Sequence, residues 1–330
     1  MEPLTQATLG AAAAIAFTRD TPINHAFWMG ALGGFLPDAD VLIRSAEDPL
    51  LHLEYHRHFT HSLIFIPIGG FITAAIGQLL TRGKERLQQL WLPASLGWAT
   101  HGLLDSCTSY GTHLLWPFAE TRLAWHNVSI VDPLYTLPLL ILTVLSLRKD
   151  NRTLSRIALC WSFAYLLFGL VQRNRATKVY HELAHSRGHE ITDASVKPSF
   201  GNNILFRGFY IYENRFYTDS IRVSWFGDHK VYEGSSIERL DYDTLYESVD
   251  PIHQQDLDRF KFFSNGYLVE DPVHRGIIGD FRYAMIPNAV APMWGIDFEN
   301  RQPNTHMDFV RFTKLNQSER TEFFQQLKGE

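Results

Sequence analysis

Cysteine is nearly absent: the 330 residues contain two, Cys107 and Cys160. Two isolated thiols make neither a disulfide framework nor a thiolate metal site. Both lie in apolar context, so both are expected as small buried residues. A basic stripe is missing as well. Net charge is −5, and neither half clusters Lys and Arg as a nucleic-acid binder does, so no nucleic-acid partner is expected. No basic stretch precedes the apolar residues 4–17, so they read as mature chain and not as a cleaved signal. There is no internal repeat and no low-complexity stretch.

What is present is unevenly spread. Residues 1–178 hold 14 Lys/Arg and 12 Asp/Glu, mostly in short clusters between apolar runs. Residues 179–330 hold 16 Lys/Arg and 23 Asp/Glu, evenly distributed, for a net charge of −7. The first half reads as a membrane domain and the second as a soluble one. Residues 63–80 carry no charge and have about the length that crosses a bilayer. Further apolar runs cover 90–104, 128–147 and 157–171. Basic residues follow three of the four runs: Arg82, Lys84 and Arg86; Arg148, Lys149 and Arg152; Arg173, Arg175 and Lys178. Residues 4–17 and 26–36 are too short to be read as spans. The competing reading is a soluble helical protein, but soluble helices keep a polar face at helical period, and 63–80 has almost none.

The tail changes character. Residues 204–212, 215–225 and 230–233 alternate bulky and polar side chains, with turn signals at Glu213-Asn214 and Gly227-Asp228, which is the pattern of antiparallel strands. Residues 267–269 and 279–286 read as further strands of the same sheet, 241–263 as helix, and 318–327 as a terminal helix capped by Ser318. The aromatic residues Phe209, Tyr210, Tyr212, Phe216 and Tyr217 are expected to alternate between core and surface. The expected fold is an α-helical, multi-helix transmembrane bundle over 1–178. An α+β soluble domain with an antiparallel sheet follows over 179–330.

Polar residues of the first half gather in four places: Asp38 and Asp40; His52, His56, His58 and His61; His101 and Asp105; and the stretch 122–135, with Arg122, His126, Asn127 and Asp132. A spacing of four puts His101 and Asp105 on one helical face. His56 and His61 bracket a short turn and can meet the same ion, and Asp38 and Asp40 add hard oxygens. Imidazole with carboxylate and no thiolate suits a divalent ion, zinc first, with manganese or iron as alternatives. Each element has a plainer reading. Asp38 can cap a helix, His52 and His58 can be interfacial, and His25, His113 and His126 need not be ligands. The group is harder to dismiss, because a lone buried carboxylate costs several kcal/mol. Ligand histidines bind as neutral imidazoles, so affinity is expected to fall as pH drops through about 6.5.

The motifs LTQATLGAA, GGFLPDAD, HRHFTHS, ATHGLLDSCTSYGTHLLWPF and, most specific, RLAWHNVSIVDPLYTLPLL carry a resemblance. The chain resembles the YdjM-like family of bacterial inner-membrane proteins, which are described as metal-dependent hydrolases. The resemblance covers most of 1–178. The tail, through NNILFRGFY, KFFSNGY and GDFRY, is similar to the extension of longer members. It implies a metal set of Asp38, Asp40, His56, His61, His101 and Asp105, with Asp132 a further ligand. Gln6 stands where many relatives have histidine, and His58 where many have a small residue. The distant likeness suggested for the family, to zinc-dependent phospholipases C and P1-type nucleases, is a fold-level analogy.

The resulting expectation is a multi-pass enzyme of the inner membrane that hydrolyses a lipid or phosphoester with a metal-activated water. Asp132 would serve as base and Arg122 would hold an anionic group; the plainer reading of Arg122 is a boundary arginine at the membrane surface. The bilayer itself is the expected partner. Two competitors stand beside this reading: metal transport or sensing with a partner-binding tail, and a purely structural metal. Basic clusters at 82–86 and 148–156 both face the cytoplasm under the positive-inside rule. That puts loops 37–62 and 105–127 on the opposite side, and the tail in the periplasm, although the cluster at 173–178 opposes the last step. The tail is expected to modulate access, because His229, His253 and His274 lack ligand spacing.

Overall fold

The computed structural model describes residues 1–191 and 194–330. The chain forms two compact units. The first comprises Met1–Leu42, Tyr55–Val171 and Phe200–Asn202; the second comprises Ile43–Glu54, Gln172–Ser199 and Asn203–Glu330.

The first unit is helical. Its elements are α1 (Pro3–Phe17), α2 (Ile23–Phe35), then, beyond α3 (Leu51–Tyr55), α4 (Ile66–Leu80), α5 (Leu87–Cys107), α6 (Pro133–Arg148) and the first half of α7 (Arg152–Ser186). Three 3-10 turns, Leu36–Leu42, Phe59–His61 and Leu63–Phe65, lie between α2 and α4. Local chemistry sets the starts. Glu2 accepts from the Leu4 and Thr5 amides ahead of α1, and Asp132 does the same for Leu134 and Tyr135 at α6. A proline occupies the first turn of both, where its missing N–H loses no bond.

Helices α1, α2 and α5 approach backbone to backbone. A Cβ at Gly10 would stand 2.3 Å from the Gly30 carbonyl oxygen, and one at Gly97 would stand 2.3 Å from the same atom. Small residues allow such approach where lipid supplies no hydrophobic drive between helices. Among the described residues two segments are long and apolar enough to cross a membrane, Leu63–Leu80 and Arg152–Ser186, and 28% of the apolar window in each is buried by protein. A soluble core helix would be mostly covered; here Ile68, Phe71, Leu79, Phe163 and Val171 are exposed. Pro3–Phe17 and Pro133–Arg148 are apolar but shorter. Cys107 is buried as expected, whereas Cys160 is exposed, because it lies on the uncovered face of α7.

The second unit is built on two antiparallel sheets, where the sequence predicts one. The first joins β1 (Ala194–Pro198), β2 (Leu205–Tyr212), β3 (Arg215–Val223) and β4 (His229–Tyr232) in that order, with β5 (Ser236–Glu238) also on β3. The second runs β6 (Leu268–Glu270), β7 (Ile277–Asp280), β8 (Trp294–Asp297) and β9 (Phe309–Arg311). Tyr212 pairs with Arg215 across the Glu213-Asn214 turn. Strand β7 ends at Asp280 and does not run on to 286. Phe209 and Tyr210 do not alternate between core and surface, because both faces of β2 are covered. Tyr210 packs with Tyr180 of α7, and Phe209 with Phe216, Tyr267 and Phe281.

The helix expected over 241–263 is two helices, α8 (Tyr242–Glu247) and α9 (Pro251–Phe263). Asp250 caps α9 by accepting from the Ile252 and His253 amides, with Pro251 in the first turn, and the residue before a proline is pushed out of the helical region. The terminal helix α10 (Gln317–Lys328) opens on Asn316 in a reciprocal capping box with Glu319, not on Ser318. Segment 43–54 belongs to this unit and is pinned there by Arg259, which pairs with Asp48, Glu54 and the buried Asp256.

Candidate metal centre

Two groups of ligand-type atoms converge in the first unit: Asp38, His61, His101 and Asp105, and Asp38, Asp40 and His56. All six residues singled out in the sequence are here, drawn from the turn after α2, the turn before α4 and the last turns of α5. Asp38 belongs to both groups.

The histidine rings are oriented from behind. His101 Nδ1 lies 2.6 Å from the Gly34 carbonyl oxygen, which can only accept, so Nδ1 carries the hydrogen and Nε2 faces the cluster. His61 Nδ1 lies 3.2 Å from Asp40 Oδ2 and 3.0 Å from Thr60 Oγ1, which likewise turns its Nε2 inward. Gly102 makes this meeting possible, because a Cβ there would stand 2.3 Å from the His61 carbonyl oxygen.

The four atoms His61 Nε2, His101 Nε2, Asp38 Oδ1 and Asp105 Oδ2 form a compact set. The two nitrogens are 2.9 Å apart. His61 Nε2 is 3.5 Å from Asp38 and 3.3 Å from Asp105; His101 Nε2 is 3.4 Å and 3.6 Å from the same oxygens. Four ligands at about 2.0–2.1 Å from a tetrahedral cation have edges of about 3.3–3.4 Å. The donor set therefore suits a small cation. Asp105 Oδ2 is buried and receives no hydrogen bond; its neighbours are the two inward Nε2 atoms and the Arg57 guanidinium.

Positive charge surrounds the carboxylates. Arg57 sits at φ 61, a conformation non-glycine residues adopt rarely and mostly where structure imposes it. Its amide donates to Asp40 Oδ2 at 2.9 Å, and its Nε stands 3.1 Å from Asp105 Oδ2. Gln6 Nε2 donates to Asp105 Oδ1 at 2.8 Å, as does the amino group of Met1. Gln6 thus buttresses a ligand from the place where many relatives are expected to carry histidine. The sequence motif contains Arg57, but arginine is no metal ligand, so ligand chemistry alone passes over it.

Burial opposes ionisation of Asp40, yet hydrogen bonds from His56 and His61 hold its carboxyl well below the usual range. Asp38 is held low in the same way by His101 and His61. Burial lowers His56 further than Asp40 raises it. Burial also disfavours charge on His61, but Asp105, Asp38 and Asp40 outweigh it and carry its pKa up to about 10. The sign of the pH dependence follows. Without metal, the His61 ion pairs are complete below its ordinary value of 6.5 and are lost as pH rises through about 10. A cation competes with that proton for Nε2, so its affinity rises with pH across this window and not merely above about 6.5. Calorimetric titration with zinc between about pH 6 and 9 should show a gain approaching tenfold per unit, with one proton released. A flat profile would remove His61 from the ligand set.

The remaining sequence candidates lie elsewhere. Asp132 is in neither group. It caps α6, and both its oxygens accept from the Tyr165 hydroxyl, at 3.0 and 2.9 Å. Arg122 reaches the His56 carbonyl at 3.3 Å, and its guanidinium lies 5.3 Å from the Tyr110 ring centre, with that of Arg57 at 5.0 Å from the same ring. His58 packs on His113 and Trp116. Burial pushes His113 down to about 3. His52 belongs to the second unit, against Phe309.

A helical unit with two uncovered apolar helices and a buried His/Asp cluster able to hold a metal ion defines a class of membrane protein. Residues 1–176 match the family described as YdjM inner membrane protein, and the chain belongs to that family. It is similar to the uncharacterized protein YfhP of Bacillus subtilis (strain 168), 25% identical over 182 residues, covering 54% of each chain. It is also similar to the inner membrane protein YbcI of Escherichia coli (strain K12), 35% identical over 95 residues, covering 28% of this chain and 54% of that one. The chain thus spans about half the length of the curated relatives it matches. No solved structure matches it.

Proposed function

We propose that this protein is a membrane-embedded metal-dependent hydrolase acting on a phosphoester, most simply one carried by a lipid. The observation that carries the reading is the cluster of four ligand atoms, all within 4.8 Å of one another, adjoined by a second group that shares Asp38. The second group has three ligands, and two of them reach solvent: Asp38 is 19% and His56 24% exposed, while Asp40 is buried. Catalytic zinc sites typically keep three protein ligands and one open position. Zinc is the first choice of ion, ahead of manganese or iron; a cation held there supplies Lewis acidity and a more acidic water.

The chain's own residues do the rest. Gly34 and Asp40 fix the tautomers of His101 and His61. Arg57 and Arg122 flank Tyr110 beside His56; Arg57 is buried, with its guanidinium committed to Asp105 and Thr108, so the half-buried Arg122 is the one we assign to an anionic phosphoryl group. Asp132 is not carried into this reading as the base, because its oxygens are committed to the helix cap and to Tyr165. We place the second unit in the periplasm, on the charge pattern of the loops in a multi-pass chain. A Ser235→Cys variant should then be labelled by an impermeant maleimide in cells whose inner membrane is intact; labelling only after lysis reverses the assignment.

One observation favours a second reading, a structural metal: the four-ligand group is already closed, and three of its members are fully buried. One experiment separates the two. Metal content of the purified protein is measured, then turnover of phosphatidic acid and phosphatidylglycerol is followed with metal present and after chelation. Hydrolysis that disappears with chelation and returns with metal supports the enzyme. Bound metal with no turnover, and loss of the fold on chelation, supports the structural role. No bound metal at all sinks both.

A further inference from the structure

The β3–β4 connection carries two large aromatic residues at its tip. Phe226 is 91% exposed and Trp225 45%. The turn is closed by the Ser224 amide donating to the Asp228 carbonyl at 3.1 Å, with Gly227 at φ 118. An exposed Phe beside an exposed Trp keeps apolar surface in water, and transferring that surface to an apolar medium is favourable.

The same tip is tied to α7 where that helix leaves its apolar stretch. Residues 157–172 contain no charge. Arg175, four residues beyond Val171 and so about 6 Å further along the helix, donates to the Ser224 carbonyl at 2.8 Å, the Trp225 carbonyl at 3.2 Å and the Gly227 carbonyl at 2.9 Å. Gln172 donates to the Val223 carbonyl at 3.2 Å. Trp225 Nε1 donates to Asn203 Oδ1 at 3.1 Å. The turn is therefore clamped to the helix at the level where the uncharged run ends.

We infer that the Trp225–Phe226 turn is a membrane-interface anchor, and that the surface it docks on is the lipid bilayer crossed by α7. Three features fit this occupant. The tip is fixed to the end of a span, so the bilayer surface is within its reach. Trp and Phe side chains of this kind settle at the headgroup boundary, reaching about 5–10 Å into it. Lys230, four residues past Phe226, and Lys178, three past Arg175, are exposed and suit anionic headgroups; Lys178 also faces Glu182 at 3.9 Å. Asp228, also exposed, stands on the far side of Gly227 and opposes them. The anchor holds this turn at the headgroup boundary. It is independent of the metal centre.

Site-directed spin labelling of the full chain tests it, in vesicles of phosphatidylethanolamine and phosphatidylglycerol. Cys107 and Cys160 are replaced by alanine, and Phe226→Cys carries the label. Glu213→Cys is the control, at the opposite end of β3 and so about 30 Å away along the strand. The label at 226 should meet dissolved oxygen more readily than a water-soluble nickel chelate, and the label at 213 should show the reverse. Equal nickel accessibility at both positions overturns the anchor. A label at 226 that is immobilised and closed to both probes also overturns it, because a protein surface then occupies the site. Two identical, highly mobile spectra would report an unfolded background; depth is then read in the chain with its own cysteines retained, by quenching of its tryptophan emission with brominated lipid, compared with Trp225→Leu. Unchanged quenching in that variant counts against the anchor.

Discussion

Replacing His101 with alanine should weaken metal binding by at least about 100-fold, beyond the 10–100-fold typical of changes behind the ligands. His101 is fully buried, its ring is set by the Gly34 carbonyl, and its Nε2 completes five short contacts among four ligand atoms. Alanine removes one corner and leaves Asp38 and Asp105 facing a void. Asp40→Asn should do less, within about 10–100-fold, because it loosens the backing of His61 and the second group while sparing all four atoms of the first. Asp132→Asn should retain metal at the wild-type level, since asparagine also caps helices and Asp132 is in neither group. The order His101, then Asp40, then Asp132 is read from metal content after dialysis against graded chelator. His101→Ala protein that holds metal as tightly as wild type would falsify the four-ligand assignment, provided near-ultraviolet circular dichroism shows it folded.

The gathering of six ligands from three segments is legible in the sequence only in part: ligand chemistry and local spacing suggest it, and the family resemblance implies the full set. A spacing of four on a helix puts His101 and Asp105 on one face, and carboxylates beside apolar runs need a counterion. Which ligands share an ion is not legible, because it depends on how closely α2 and α5 approach, and that is set by glycines with no chemistry of their own. Asp132 shows the opposite failure. Its surroundings in the sequence look functional, yet the proline that follows makes it a helix cap, and Tyr165, 33 positions later, takes its oxygens. In the tail, alternation reveals β2 and β3 because one tight turn joins them. The short strands β8 and β9 escape notice, because three or four residues do not establish a period. Their pairing is also non-local. The assignment of 43–54 to the second unit is equally silent in sequence, since it rests on Arg259 meeting Asp48 and Glu54 some two hundred positions away.

Gly97→Ala should destabilise the first unit by about 3 kcal/mol, the upper end of the usual overpacking range, and empty the metal centre at the same time. A Cβ at this position would lie 2.3 Å from the Gly30 carbonyl oxygen, 2.6 Å from the Gly34 amide nitrogen and 2.8 Å from the Gly33 carbonyl carbon. All three are backbone atoms of α2, so no side chain can swing away to relieve the clash, and the two helices must separate. His101 lies one turn further along α5, and its Nδ1 bond to Gly34 is 2.6 Å long. A shift of even about 1 Å stretches that bond beyond its useful range and frees the ring that it orients. Gly83→Ala is the comparison, because nothing lies within 4 Å of a Cβ there and its φ of +73 carries the only penalty, about 1 kcal/mol. Thermal unfolding in detergent, with metal content measured on the same samples, reads both effects. If Gly97→Ala melts as Gly83→Ala does and keeps its metal, α2 and α5 do not meet at these glycines, and the spacing of the four ligand atoms does not depend on that contact.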